Sequence, residues 1–343
     1  MAHTQISDVV VPSVFAAYVQ DLSTELSLLV QSGIIRREAQ FDNFLAGGGE
    51  VITLPMWNDL DDTEANISDD TNTAAVPEKI GSKKVLAVRN NRNQAWSAMD
   101  LTGQLAGSDP MEAIARRVAS YWVRQDQAKV NAIIKGLAAN NATIVNDIAD
   151  SGTAGGNDGT VGTDNLVSSD AFLDTFALMG DHKSNIAAIA MHSAVHTRLQ
   201  KLNLIDFVPD ARGEVNFGTY MGKAVIVDDG LATEADATTT PASTEYFTVC
   251  YGPGAFAWGE GSPRVPAEVE RQALLGSGGG EEVLVSRREY ILHPAGFSAK
   301  SDIFDDANGK SATNAALASG VTPAYEMKLN RKQIPLAVLK SNG

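Results

Sequence analysis

The residues in this chain that could do chemistry are few. His192 and His196 are four apart, the spacing that puts two imidazoles on one helical face for a shared metal ion, and His182 lies not far upstream. A hydrolytic metal site of that type needs a glutamate directly after the first histidine as general base, and Ser193 stands there instead. Histidines without a metal are the better reading. Asp59, Asp61 and Asp70 fall at offsets used by a calcium loop, but Glu64 occupies the place of its obligatory glycine and Asp70 replaces the bidentate glutamate. A solvated acidic turn is expected. The stretch GTAGGNDGTVG follows no convincing strand and lacks the GK[ST] element that holds phosphate and magnesium, so it reads as a linker. Cys250, in the run YFTVCYG, has no partner cysteine and no local signature of a nucleophile; a buried small apolar residue is expected. No catalytic set, cofactor site or metal site emerges, and the chain is not expected to be an enzyme.

Composition narrows the classes further. The chain has 343 residues, too many for one ordinary core, which suggests about two globular units. With 42 acidic against 27 basic side chains the formal charge is −15, and such a surface repels phosphate, so sequence-specific DNA binding is not expected. No apolar run is long enough to cross a bilayer, and the residues after Met1 do not form a signal peptide.

The elements that must position these residues are legible in outline. Val14, Phe15, Tyr18, Val19, Leu22, Leu26, Leu29 and Val30 recur at helical spacing, giving an N-terminal helix over 12–31 with Gly33 as its stop. GGGEVITLPMW and KKVLAVRNNRNQAW read as two strands of a long arm, joined by an acidic connection that carries Asp59, Asp61, Asp62, Glu64, Asp69 and Asp70. A two-stranded arm is barely stable alone, so it should rest on another chain. The longest helix is predicted over 109–137, with Asp109 as N-cap, Pro110 in the first turn and Glu112 reaching back as a capping-box carboxylate. Met111, Ile114, Ala115, Val118, Tyr121, Trp122, Ile133, Ile134 and Leu137 form its expected buried stripe, with Arg116, Arg117, Arg124 and Asp126 outward.

After the linker DIADSGTAGGNDGTVGTDN the rhythm becomes α/β: a helix near 170–180, the strand IAAIAMH, the helix SAVHTRLQKL and the strand GKAVIVDDG. EYFTVCYGPGAFAWGEG is expected to close this unit as a strand pair. EVERQALLGSGGGEEVLVSRREYIL reads as a further antiparallel pair, and Pro335 argues for an edge strand or extended tail at the C-terminus.

The run AMHSAVHTRLQKLNLIDFVPDARGEVNFGTYMGKAVIVDDG closely resembles a segment of tailed-bacteriophage major capsid proteins, and the order of parts resembles their Hong Kong 97-type fold. The resemblance implies an α+β subunit: an N-terminal arm at 1–46, an extended β-hairpin loop at 47–96, a peripheral domain with the long helix at 97–150, an α/β axial domain at 151–261, and a returning peripheral segment at 262–343. It implies self-assembly into hexamers and pentamers that form an icosahedral head around double-stranded DNA held without sequence specificity. The implied partners are a separate scaffolding protein, a portal protein and a decoration protein, with assembly in the host bacterial cytoplasm and no membrane. Trp57, Asp59, Asp61, Asp62, Arg89 and Arg92, on or beside the loop, are the expected intersubunit contacts. An encapsulin-type nanocompartment shell shares the fold and is the alternative; a metal-dependent hydrolase using the histidines is a distant second.

Overall fold

The computed structural model describes residues 34–47, 49, 51–60, 64–65, 67, 77–149, 161–209, 215–236, 243–300 and 311–342. The expected N-terminal helix over 12–31 and most of the acidic connection, including Asp61, Asp62 and Asp70, lie outside the described residues. The chain begins with strand β1 (Ile35–Arg37) and helix α1 (Ala39–Ala46), then runs through β2 (Val51–Trp57), β3 (Ser82–Val88) and β4 (Asn90–Met99) into α2 (Asp100–Ala106) and the long helix α3 (Pro110–Asn140). The α/β part contains β5 (Val145–Asp147), α4 (Ser169–Ala177), β6 (Ala188–Met191), α5 (Ser193–Lys201), β7 (Asp206–Pro209), β8 (Val215–Tyr220), β9 (Lys223–Val227), β10 (Thr233–Asp236) and β11 (Ser243–Tyr251). It ends with β12 (Phe256–Gly261), β13 (Ala267–Gln272), β14 (Glu281–Pro294), β15 (Phe297–Ala299), α6 (Asn314–Leu317), β16 (Tyr325–Met327) and β17 (Leu336–Ser341).

Two main sheets result. In the smaller, five-stranded sheet β14 is the centre: β4 pairs along one edge from Met99 to Asn90, while β13 and β12 pair along the other and β1 extends the sheet beyond β12. The larger sheet has eight strands, in the order β5-β17-β11-β6-β9-β8-β7 with β10 also on β11. Its parallel β6–β9 pair flanks α5, as the α/β rhythm requires. Phe172, Phe176, Val195 and Leu199 of α4 and α5 close one core against Ile189, Cys250 and Leu339 of the sheet. A second core joins the two sheets through α3, where Ile133, Ile134 and Leu137 meet Val249, Tyr251, Phe256, Phe297 and Val338.

Helix α3 spans 31 residues, about 46 Å at 1.5 Å per residue. Asp109 caps it as expected, accepting from the Met111 amide at 2.9 Å. Glu112 does not reach back; it accepts from Arg116 at 2.6 Å, an i,i+4 pair that competes for the same carboxylate. The stripe also differs. Burial starts only at Trp122; Ala115 is exposed and Met111, Ile114, Val118 and Tyr121 are half-buried, because core residues face only the second half of the helix. Asp126, expected outward, is buried beside Arg288. Gly136 lets α6 approach: a Cβ there would stand 1.9 Å from the Leu317 carbonyl oxygen.

Two strand expectations are corrected. β11 and β12 do not pair with each other; the turn between them, with Gly254 at φ +68°, sends β11 to the large sheet and β12 to the small one. β17 is not an edge: it lies between β11 and β5. Pro335 is compatible with this because it immediately precedes the ladder, where its missing N–H is not needed and its carbonyl accepts from Gly252 at 2.9 Å. The β13–β14 hairpin matches its sequence reading.

Candidate functional site: the arm and the layer beneath the long helix

Strands β2 and β3 form an arm in register from Val51↔Val88 to Trp57↔Ser82, and β2 pairs with nothing else among the described residues. No residue of β2 is buried. Trp57 is 73% and Leu60 72% exposed, a large apolar surface open to water. Asp59 accepts from the Leu60 amide at 3.0 Å, a local turn contact. Burial begins toward the root of β3, at Val85, Ala87 and Val88, where the Leu86 amide also donates to Ser298 Oγ at 3.0 Å.

Arg89 and Arg92 stand at this root, off the arm itself. Arg89 pairs with Glu289 at 2.9 Å, donates to the Leu45 carbonyl at 3.1 Å and lies over the Phe44 ring. Arg92 donates to the Ala312 carbonyl. Both guanidiniums are thus engaged within their own chain, bracing the arm.

The histidines are dispersed. His192 is the N-cap of α5: its Nδ1 accepts from the Ala194 amide at 3.2 Å, and its ring packs on Tyr246. His196 sits within the helix, where burial lowers its pKa. His182 lies in a separate exposed turn beside Asn185. No group of three potential metal ligands occurs among the described residues. Cys250 is fully buried and its thiol is pushed up to about 12 by desolvation.

A charged interior that the sequence reading missed lies beneath α3. Trp122 Nε1 donates to Ser286 Oγ at 2.9 Å. One turn on, Asp126 accepts from Arg288 at 2.8 Å, and the Arg288 guanidinium lies 5.7 Å from the ring centres of Trp122, Trp258 and Tyr290. Burial raises the Asp126 pKa while Arg288 opposes the shift. Lys129, 1% exposed, donates to the Asn90 side-chain oxygen and stands 4.9 Å from the Tyr290 ring centre. Burial first, and the Arg92 charge second, push its pKa well below the usual lysine value. The signal was present: 122, 126, 129 and 133 lie on one helical face, so Asp126 and Lys129 share the stripe of Trp122 and Ile133. A groove of about 490 Å³ opens onto this layer between Ile35, Val123 and Trp258.

The arm, the two sheets and the long helix can be compared with known proteins. No family model matches the chain. The major capsid protein of Bacillus phage SPP1 is 39% identical over 322 residues, 93% of each chain. The chain belongs to the bacteriophage major capsid protein family. As such it is related to a structural component of the virion. Solved structures agree in fold: the capsid of Ralstonia phage GP4 matches with a TM-score of 0.57 at 9% identity over 97% of this chain and 96% of that one. The cyanophage Pam1 capsid asymmetric unit matches with a TM-score of 0.56 at 10% identity over 96% of each chain. The expected α+β capsid fold is therefore the fold of this major capsid protein, and neither the encapsulin nor the hydrolase alternative finds support in these likenesses.

Proposed function

We propose that the subunit forms hexamers and pentamers that close into an icosahedral head around double-stranded phage DNA, held without sequence specificity. It acts as a structural subunit and not as an enzyme, and it is made and assembled in the host cytoplasm. Assembly is guided by a separate scaffolding protein, one vertex takes a portal protein, and a decoration protein binds outside. The reading is supported by the likeness to a major capsid protein over 93% of the chain, and by an arm that leaves Trp57 and Leu60 exposed at its far end. Trp57, Asp59, Asp61, Asp62, Arg89 and Arg92 make contacts to the neighbouring subunit, Arg89 and Arg92 also bracing the arm through their bonds within their own chain. For the division into arm, extended loop, peripheral and axial parts we keep the boundaries expected from the sequence, with β5 and β17 contributing strands to the larger sheet and β12 to the smaller one.

The test is electron microscopy and sedimentation of the purified protein, alone and with a candidate scaffolding protein, beside a variant lacking residues 59–73. The intact chain should give uniform closed particles. The deletion should keep the circular dichroism of the folded subunit and lose the particles, because its contacts are between chains. A deletion that unfolds the subunit would refute the intersubunit assignment. Trp57→Ala should behave the same way in milder form, lowering particle yield while leaving subunit stability within about 0.5 kcal/mol, as expected for an exposed side chain.

A further inference from the structure

Asp228, the residue after β9, is 8% exposed. A carboxylate so placed ordinarily ends on a cation, since an unpaired buried charge is costly. Among the described residues its partners are neutral: the Gly230 amide donates to Oδ1 at 2.8 Å, and Asn131 Nδ2 donates to Oδ2 at 3.4 Å. The turn is fixed from its other side, where the Asp228 amide donates to the Met191 carbonyl at 3.0 Å and Asp229 accepts from the Ser193 amide at 3.0 Å.

Other oxygens around this carboxylate are orphaned. Gln127 and Asn131 lie one turn apart on α3, 7% and 5% exposed, and neither Gln127 Oε1 nor Asn131 Oδ1 has a hydrogen-bond partner among the described residues. Asn131 Nδ2 donates to the Gly230 carbonyl at 2.7 Å, which fixes that amide and leaves its oxygen over. Tyr251 is fully buried with its hydroxyl unpartnered; burial first, and the Asp228 charge second, raise its pKa. The groups converge on Gly230, where a Cβ would stand 3.1 Å from Asp228 Oδ1 and 3.6 and 3.7 Å from the amide nitrogens of Asn131 and Gln127. The missing side chain leaves a cradle, and Gly230 itself is exposed, so the cradle opens to solvent. A half-turn of the Gln127 amide exchanges its nitrogen for the unpartnered oxygen.

Buried polar atoms without partners call for an explanation. Water would satisfy the amide oxygens but leave the carboxylate charge uncancelled, whereas a metal ion answers both. The set has one carboxylate and no histidine or cysteine, so it is not a cluster of the kind that zinc uses. One carboxylate cancels one positive charge, and neutral oxygens are the donors that hard cations take. We propose that Asp228, Asn131 and Gln127 hold an alkali metal ion, sodium or potassium, in the cradle at Gly230, with water completing its shell. The ion ties the long helix α3 to the turn after β9 and so to the larger sheet. It lies within one subunit and stands independently of how subunits contact one another.

The test is thermal unfolding of the purified full-length subunit, followed by circular dichroism in sodium, potassium or tetramethylammonium chloride at one pH and one ionic strength. Tetramethylammonium is too large for the cradle. The midpoint should be higher by at least about 2 °C in sodium or potassium and should rise with the logarithm of the ion concentration. Asp229→Asn, next door, should keep this difference, while Asp228→Asn and Gly230→Ala should lose it. Equal wild-type midpoints in the three salts overturn the proposal, whatever the variants do. A difference that persists in Asp228→Asn also overturns it, since it would then be a general effect of the salts. Should Asp228→Asn fail to fold, Gln127→Leu removes a neutral oxygen alone and should raise at least threefold the sodium concentration needed for a given midpoint; an unchanged requirement takes Gln127 out of the site and overturns the proposed ligand set. Stabilisation by calcium chloride but by neither alkali ion overturns the monovalent assignment.

Discussion

Replacing Gly136 by alanine sets two effects of opposite sign against each other. Gly136 lies in the interior of α3, where alanine is favoured over glycine by about 1 kcal/mol on helix propensity alone. The added Cβ, however, would stand 1.9 Å from the Leu317 carbonyl oxygen and 3.0 Å from its carbon. These are backbone atoms, so no side chain can rotate aside; α6 must move. Asn140 holds this contact from the other side, donating to the Gly136 carbonyl at 2.7 Å and to the Ser319 carbonyl at 2.9 Å, so a shift of α6 strains that bridge too. Overpacking of a close-packed interior costs about 1–3 kcal/mol, and contact with immobile backbone belongs at or beyond the top of that range. The net expectation is a loss of about 2 kcal/mol. Equilibrium urea unfolding of the purified subunit, followed by circular dichroism, reads it as a lower midpoint with an unchanged slope. Ala115→Gly, at an exposed site of the same helix, should also lose about 1 kcal/mol, so the two opposite substitutions both destabilise. If Gly136→Ala proved as stable as the parent or more so, the close approach of α6 to α3 would be refuted.

Arg288→Ala should cost about 2–4 kcal/mol, because it leaves Asp126 buried without its cation; Arg288→Met with Asp126→Leu should recover most of the loss, measured in the same unfolding assay. His293, 5% exposed and bonded through Nε2 to the Phe297 carbonyl at 2.8 Å, has its pKa lowered from 6.5 to about 4 by burial. The unfolded chain takes up this proton first, so the stability it contributes is full above pH 6.5 and falls by about 3 kcal/mol as pH drops toward 4. A His293→Gln variant should show a flatter stability profile across that window. Asp126 has the opposite sign: its raised pKa makes its contribution greatest below its ordinary value of 3.8 and smaller as pH rises through the folded value, so Asp126→Asn should be tolerated best at neutral pH. Cys250 should resist a thiol reagent in the folded protein and react in full after denaturation, since it is fully buried and its thiol is pushed up to about 12; fast labelling of the native chain would contradict its placement.

Much of the architecture was legible because it depends on local periodicity. The capped long helix, the β2–β3 arm, the α5 segment between parallel strands and the β13–β14 hairpin follow from residue spacing, turn residues and cap chemistry. The misread elements depended on partners far away in sequence. Nothing in EYFTVCYGPGAFAWGEG distinguishes a hairpin from two strands diverging to different sheets, because a glycine turn permits both. Pro335 excludes a ladder donor at one position but does not say which strand follows. The long helix presents a continuous amphipathic stripe, yet only its second half is covered, and that extent is set by where the sheets lie.

Sequence alone pointed to the kind of protein this is: an acidic chain with a two-stranded arm and a run of residues that resembles those of phage capsid proteins. It could do so because composition, periodicity and motif are properties of neighbouring residues. The tertiary structure alone decided the fate of the charges. Asp126 and Lys129 look like ordinary polar residues of a helix until strands β4 and β14, distant in the chain, bring Asn90, Arg288 and Tyr290 beneath them. Burial then changes what those groups are, because the cost of an ion depends on the dielectric and partners around it, and neither is written in the residues beside it.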